Sequence, residues 1–170
     1  DFTIETYIQF NDFDAIGTIA SFAASGETAE SNMLYDWTVT TSGDFDVIHE
    51  NTAGADNFVT FASTLDTDTW YRLSLVRDTA NSQYHLYVDG SEIGTGQVYS
   101  NPPTGGELGF FTIGMNPLDR IPLSAEVGDV RVWDDVRTAS EISSNLAVDS
   151  LAGSEANLVL YYDFIGNSSG

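Results

Sequence analysis

Carboxylates are the most abundant groups in this chain that could do chemistry, because 26 of its 170 residues are Asp or Glu. A retaining glycosidase needs two carboxylates about 5–5.5 Å apart across one sugar ring. The best-spaced pair in a strand-like run is Glu126 and Asp129. Residues three apart in a strand point to opposite faces, so this spacing argues against paired-carboxylate catalysis.

The sequence also gives little evidence for other kinds of catalytic site. His49 and His85 are the only histidines, and neither has a second His or Cys at a zinc-ligand spacing. Cysteine is absent, which removes disulfides and thiolate chemistry. No glycine-rich phosphate loop occurs in the sequence. A binding or structural role is therefore the simpler prediction.

The charge balance argues against two classes of partner. Five basic residues, all arginine, oppose the 26 acidic ones and leave a net charge of −21. Nucleic-acid phosphates and anionic membranes would be repelled. Two interpretations stay open, namely divalent cations bound by clustered carboxylates and a solvated acidic surface suited to high salt. The carboxylates are scattered and lysine is absent, which favours the second and points to a marine or halophilic host.

The elements that would position any site are strands. Residues 70–96 form two alternating apolar and polar runs, and the second ends in Asp89-Gly90, a strong hairpin signal. A third run pairs back and completes an antiparallel meander. Similar runs separated by Gly, Asp, Asn and Ser predict further strands at 2–10, 18–23, 33–40, 45–49, 57–62, 110–115, 128–133 and 158–164.

One helix is predicted near 138–146. Thr138 and Glu141 have the spacing of a capping box, and Ile142 and Leu146 lie one turn apart on one side. The fold class is therefore all-β, a two-sheet antiparallel β-sandwich (jelly roll) with one short helix. We expect residues 1–170 to be a single module taken from a larger protein.

Several segments, in order, resemble the concanavalin A-like lectin/glucanase superfamily, and in particular its bacterial laminin G-like modules. The segments are DFTIETYIQF (1–10), WYRLSLVRD (70–78), YHLYVDGSEIGT (84–95), FTIGMN (111–116), GDVRVWDDVRTASEI (128–142) and LVLYYDF (158–164). The resemblance implies two antiparallel sheets packed face to face. Glucanases of this superfamily carry E-x-D-x-x-E on one strand, and that pattern is absent here, so the resemblance favours a non-catalytic module.

The resemblance also implies a structural calcium ion. Relatives often hold one through a strand Asp and backbone carbonyls, and Asp129 matches that Asp, with the strand ending at Asp163 as its neighbour. A hard cation takes six to eight oxygen ligands, which carbonyls and water can complete. The alternative is that Asp129 pairs with Arg131 or Arg137, or caps a turn.

Laminin G domains bind ligands at their rim, which here corresponds to residues 116–122. Asp119 and Arg120 could bind sugar hydroxyls, or they could form a local surface ion pair. Trp37, Tyr35 and Tyr99 could stack on a pyranose ring, or they could pack in the core or at a sheet edge.

Together these observations predict a recognition module that binds carbohydrate or a glycosylated surface, with calcium as structural support. Its partners would be a glycan or glycoprotein and neighbouring domains of the same polypeptide, in a secreted, cell-surface or virion-surface protein that serves adhesion or substrate targeting. The alternatives are a structural module of an adhesin or virion, and a glycoside hydrolase with unusual acids.

Overall fold

A computed structural model describes residues 1–24, 33–50, 56–100, 108–116, 121–147 and 151–164. Within these ranges the backbone forms β-strands and one short helix. In chain order they are β1 Phe2–Phe10, β2 Gly17–Ala24, β3 Met33–Val39, β4 Phe45–Glu50, β5 Asp56–Phe61, β6 Trp70–Asp78, β7 Gln83–Val88, β8 Ser91–Glu92, β9 Gln97–Val98, β10 Leu108–Ile113, β11 Ala125–Trp133, α1 Ala139–Ser144 and β12 Leu158–Asp163. None of the described helical residues forms a span long and apolar enough to cross a membrane.

The chain divides into two units, each built on one antiparallel sheet. The first unit comprises Asp1–Phe10, Asp68–Gly96 and Glu126–Gly170, and the second comprises Asn11–Thr67 and Gln97–Ala125. The sheet of the first unit has the strand order β12-β11-β1-β6-β7-β8, and that of the second has the order β10-β2-β3-β4-β5.

The central strands β1 and β6 of the first sheet are buried on both faces. Ile4 and Ile8 of β1 alternate with Glu5, and Leu73 and Leu75 of β6 alternate with polar residues, so one face is apolar. Glu5 is nevertheless only 1% exposed. Buried charge on the other face requires partners, because an unpaired ion in a dry environment is strongly destabilising.

The predicted hairpin and meander are confirmed by the register of β6, β7 and β8. Asp89 and Gly90 both have positive φ, 48° and 78°, as a two-residue type I′ turn requires. The Asp89 carboxylate also accepts a hydrogen bond from the backbone N–H of Arg72 at 2.8 Å. The turn is therefore tied to the neighbouring strand.

The helix begins as the sequence predicts. Thr138 is the N-cap, and it exchanges both hydrogen bonds of a capping box with Glu141. The helix ends at Ser144, slightly before the predicted end. Its buried residue Ile142 packs against Val76 and Tyr87, so α1 covers part of the non-apolar face of the first sheet.

The second sheet has one buried apolar face and one mixed face. The buried apolar side chains are Trp37, Val39, Phe45, Val47, Val59 and Phe61. Cross-strand partners share a face, and Trp37↔Val47, Val47↔Val59 and Phe45↔Phe61 are all such pairs. The fold class predicted from the sequence, all-β and of the two-sheet antiparallel β-sandwich type with one short helix, is confirmed. That residues 1–170 form a single module stays a prediction.

Candidate functional site

The mixed face of the second unit exposes a large aromatic ring. We call the Phe58 face the set of side chains that β4 and β5 direct away from the buried apolar face, namely Asp46, Ile48, Asp56, Phe58 and Thr60. Pairs Asp46↔Thr60 and Ile48↔Phe58 place them together. Phe58 is 62% exposed, Asp56 and Thr60 are exposed, and Asp46 and Ile48 are half-buried.

Polar side chains continue the face across the neighbouring strands. Asp36 of β3 lies opposite Ile48, and Ser21 of β2 lies opposite Asp36. Asp36 is 5% exposed, and its Oδ2 accepts a hydrogen bond from Nδ2 of the fully buried Asn116 at 3.0 Å. This bond fixes the residue at which the predicted rim segment begins.

Two aspartates of this unit, Asp46 on the Phe58 face and Asp44 in the turn before β4, are held in place by hydrogen bonds. Thr60 Oγ1 donates to Asp46 Oδ1 at 2.5 Å. In the turn before β4, the Asp44 carboxylate accepts hydrogen bonds from the Ser63 backbone N–H at 2.9 Å and from Ser42 Oγ at 2.8 Å. These bonds, chiefly the one from Ser63, lower the pKa of Asp44, so it stays ionised at neutral pH.

This combination suits a ligand with one apolar and one hydroxylated side. An exposed ring can cover the C–H face of a pyranose, while carboxylates and hydroxyls accept hydrogen bonds from sugar O–H groups. The paired strands fix the spacing of these groups, since neighbouring strands lie about 4.8 Å apart and alternate residues about 7 Å apart.

The three aromatic residues that the sequence proposed for stacking lie elsewhere. Trp37 and Tyr99 are 1% and 5% exposed, and Tyr35 is half-buried. The ring of buried His49 meets Tyr99 edge-on at 5.2 Å and Tyr35 at 6.3 Å between centroids. The geometry thus matches the packing alternative, and the role of the three rings in ligand binding stays a prediction.

The rim pair Asp119 and Arg120 lies outside the described residues. Their predicted role in binding sugar hydroxyls therefore stays a prediction. Asn116, at the start of the predicted rim segment, is described and is bonded to Asp36.

The predicted metal ligand Asp129 lies in a buried network of ions in the first unit. Asp129 is fully buried, and its two oxygens accept hydrogen bonds from both terminal nitrogens of Arg72. Arg131 donates to Asp129 Oδ2 at 3.0 Å and approaches Glu5 at 3.5 Å. Of the alternatives weighed from the sequence, the pairing with Arg131 is therefore present. The pairing of Asp129 with Arg72 of β6 could not be predicted, because the two residues are 57 positions apart in the sequence.

The two arginines also hold the chain that follows α1. Arg131 donates to the backbone oxygens of Asn145 at 2.5 Å and Ala147 at 2.8 Å, and Arg72 Nε donates to that of Leu146 at 3.3 Å. Asp129 thus anchors, through two guanidinium groups, a segment further along the chain. Its role in this arrangement is structural.

A calcium ion does not fit the residues as they lie. Both Asp129 oxygens face guanidinium groups, and a divalent cation there would displace or oppose two buried positive charges. Asp163 is the cross-strand partner of Asp129 but is exposed. Within the described ranges no three His, Asp or Glu side chains are grouped to hold a metal. Calcium binding stays a prediction for this chain.

Glu5 makes stability depend on pH. Burial raises its pKa, against the opposing effects of Arg131 and of a 3.2 Å hydrogen bond from Trp133 Nε1. Between the ordinary pKa of 4.5 and the raised value, the folded state holds more protons than the unfolded one, so the contribution of Glu5 falls as pH rises through that window.

We therefore expect Glu5→Gln to be more stable than the parent protein near pH 7, with the difference shrinking towards pH 4. Urea denaturation of both proteins across this range measures it. Asp14→Asn removes an exposed carboxylate without this burial and serves as the control. A difference that is constant with pH would contradict the assignment.

A comparison of sequences decides the family. A laminin G family model of the concanavalin A-like lectin/glucanases superfamily matches residues 1–143. The chain belongs to this superfamily. No curated protein matches the sequence significantly.

Solved structures show the same superfamily fold in other proteins. A candidate carbohydrate-binding protein from Bacteroides ovatus superposes with a TM-score of 0.69 at 21% identity, over 98% of this chain and 46% of that one. The SAP-like pentraxin of Limulus polyphemus gives 0.64 at 20% identity, over 87% and 70%. The CBM40 module of the Ruminococcus gnavus IT-sialidase, determined with α2,3-sialyllactose, gives 0.67 at 15% identity, over 86% and 82%.

These similarities show the fold alone, and the chain spans less than half of the Bacteroides protein.

In the present chain, the two acidic residues first considered for catalysis do not lie together. Glu126 is exposed on β11, whereas Asp129 is fully buried in its ion network. Phe58, an exposed ring on the second sheet, was missed from the sequence because Phe58 and Val59 alternate, and only the register with β4 shows which of them faces outward.

Proposed function

We propose that this chain is a non-catalytic carbohydrate-recognition module that binds glycan on the Phe58 face. The observation that carries the proposal is a 62% exposed phenylalanine on the edge strand β5, on a sheet face that also carries acidic and hydroxyl groups. Covering this ring with a sugar would remove its apolar area from water.

The similar structures support the class of ligand. The Bacteroides protein is a candidate carbohydrate-binding protein, and the structure of the Ruminococcus module was determined with a sialylated sugar bound. Both share the fold, and function on a shared fold depends on the local site. The proposal therefore rests on the Phe58 face first and on the neighbours second.

The proposal extends to the setting of the module. A secreted or surface-exposed protein of a marine or high-salt host suits a chain with 26 acidic residues and no lysine. Weak binding by one module would be raised by neighbouring copies or domains on the same polypeptide through effective concentration, as adhesion or substrate targeting requires.

Phe58→Ala should abolish most of the binding. Covering a phenylalanine ring contributes about 1.5–3 kcal/mol, which corresponds to a loss of roughly tenfold to a hundredfold in affinity. Isothermal titration with a panel of uncharged gluco-, manno-, xylo- and galacto-oligosaccharides measures this loss. The fold should be unaffected because the ring is exposed.

Phe164→Ala is the matched control, because it removes a ring of similar exposure, 56%, from the first unit. It should bind the panel like the parent protein. Equal binding by the parent and Phe58→Ala would reject the site. No binding of any sugar by a folded parent protein would favour the structural-module alternative.

A further inference from the structure

The charged side chains of the Phe58 face are all acidic. Asp46 lies on the neighbouring strand diagonal to Phe58, because its direct partner is Thr60, and Asp56 precedes Phe58 by two residues and so faces the same way. Asp36 borders the face one strand further on. A ligand stacked on Phe58 would therefore have the Asp56 and Asp46 carboxylates about 7–8 Å away.

The sequence of the second unit offers almost no positive charge to balance them. Residues 11–67 and 97–125 contain twelve Asp and Glu, no lysine and one arginine, Arg120. His49 is fully buried, and it lies on the opposite face because its neighbour Ile48 is the one paired with Phe58.

The remaining four arginines belong to the first unit, and Arg72, Arg131 and Arg137 form ion pairs there. Arg72 and Arg131 are 2% and 0% exposed and ion-paired with Asp129. Arg137 is 10% exposed and lies 3.6 Å from Glu141. Arg77 is half-buried on β6.

We propose, on the basis of the glycan-binding function above, that the Phe58 face selects uncharged sugars and rejects sialylated, uronate and sulfated ones. Recognition of a carboxylate or sulfate relies on arginine or lysine donors, and the described part of this face has none. An anionic sugar would also be repelled by Asp46 and Asp56 at short range. The module thus shares its fold with the Ruminococcus module determined with sialyllactose but differs from it in the charge of its ligand.

The test compares uncharged sugars with anionic derivatives of the same sugars. Cellohexaose and its C6-carboxylated counterpart, and lactose and α2,3-sialyllactose, form two such pairs for isothermal titration at low and high NaCl. We expect the anionic member to bind about tenfold more weakly or worse at low salt, with the gap narrowing as salt screens the repulsion. Affinity for the uncharged member should be insensitive to salt.

Two variants locate the effect. The double variant Asp46→Asn and Asp56→Asn should improve binding of the anionic member several-fold, because it removes the two repelling charges. The amide oxygen at position 46 can still accept the Thr60 hydrogen bond, so the local structure should be kept. Asp14→Asn removes one exposed carboxylate from the loop before β2 and should leave the gap unchanged. Circular dichroism of each variant checks that the fold is kept.

The outcomes separate the two proposals. Tighter, Phe58-dependent binding of sialyllactose or the carboxylated sugar, weakened by salt, would overturn the charge selection and keep the glycan-binding function. Binding of either uncharged sugar, or of uncharged members of the panel, with rejection of the anionic ones supports both. Absence of binding by every sugar would overturn both.

Discussion

Replacing Arg72 with alanine is expected to lower the free energy of unfolding by about 3–5 kcal/mol. Arg72 and Asp129 are 2% and 0% exposed and hydrogen-bonded through both carboxylate oxygens. Removing the cation leaves a buried carboxylate with less compensation and frees the Leu146 backbone oxygen that Arg72 Nε contacts. For a chain of this length, the loss corresponds to roughly 6–20 °C in melting temperature.

Glu92→Gln provides the matched control for this experiment. Glu92 pairs with His85 at 2.6 Å, but the two side chains are 34% and 22% exposed, so breaking that pair should cost at most about 1 kcal/mol. Thermal and urea unfolding of the parent and both variants measures the contrast. Equal, small losses in the two variants would show that the buried network contributes nothing particular.

The same melts decide the calcium prediction. If both Asp129 oxygens are hydrogen-bonded to arginines as described, Ca²⁺ should not bind there. Adding Ca²⁺ to chelator-treated protein should then leave the melting temperature unchanged. A rise that disappears in Asp129→Asn would place calcium at Asp129. A rise retained in that variant would place it elsewhere in the chain.

Trp37→Ala is the second large effect and should lower the free energy of unfolding by about 3–5 kcal/mol. Trp37 is 1% exposed on the buried apolar face of the second sheet, with its ring 6.4 Å from that of Phe45. Truncation would leave a cavity the size of an indole ring. Urea denaturation followed by far-ultraviolet circular dichroism measures the loss.

A pair of variants separates packing from ligand binding at this position. Trp37→Phe should cost less than Trp37→Ala, because it keeps a ring and removes a buried indole N–H that has no hydrogen-bond partner among the described residues. Phe58→Ala should change stability by no more than about 0.5 kcal/mol. A stable Trp37→Ala protein that no longer binds sugar would reinstate Trp37 as a ligand residue.

Local signals in the sequence predict most of the fold. The alternation in β1, the Asp89-Gly90 turn and the Thr138–Glu141 capping box each act over a few residues, so each can be read without knowing the rest of the chain. The helix end was less exact because helix ends fray and their assigned position varies by one or two residues, although Asn145 is the C-cap.

The site was harder to predict because burial depends on distant partners. Asp129 resembles a metal ligand until Arg72, 57 residues earlier, is found against it. Trp37 and Phe58 are both aromatic strand residues, and only cross-strand register decides that one is buried and the other exposed. A one-residue change in the register of either strand would move its aromatic residue to the opposite face of the sheet.

The central claim is that sugar binds on the Phe58 face, and amide chemical-shift mapping tests it most directly. The measurement titrates isotope-labelled protein with the uncharged oligosaccharide that binds best and follows the backbone amide signals. We predict the largest changes at Asp46, Ile48, Phe58 and Thr60, with small changes on β1 and β11. Changes confined to the first unit, or an unaltered spectrum at saturating sugar, would contradict the account.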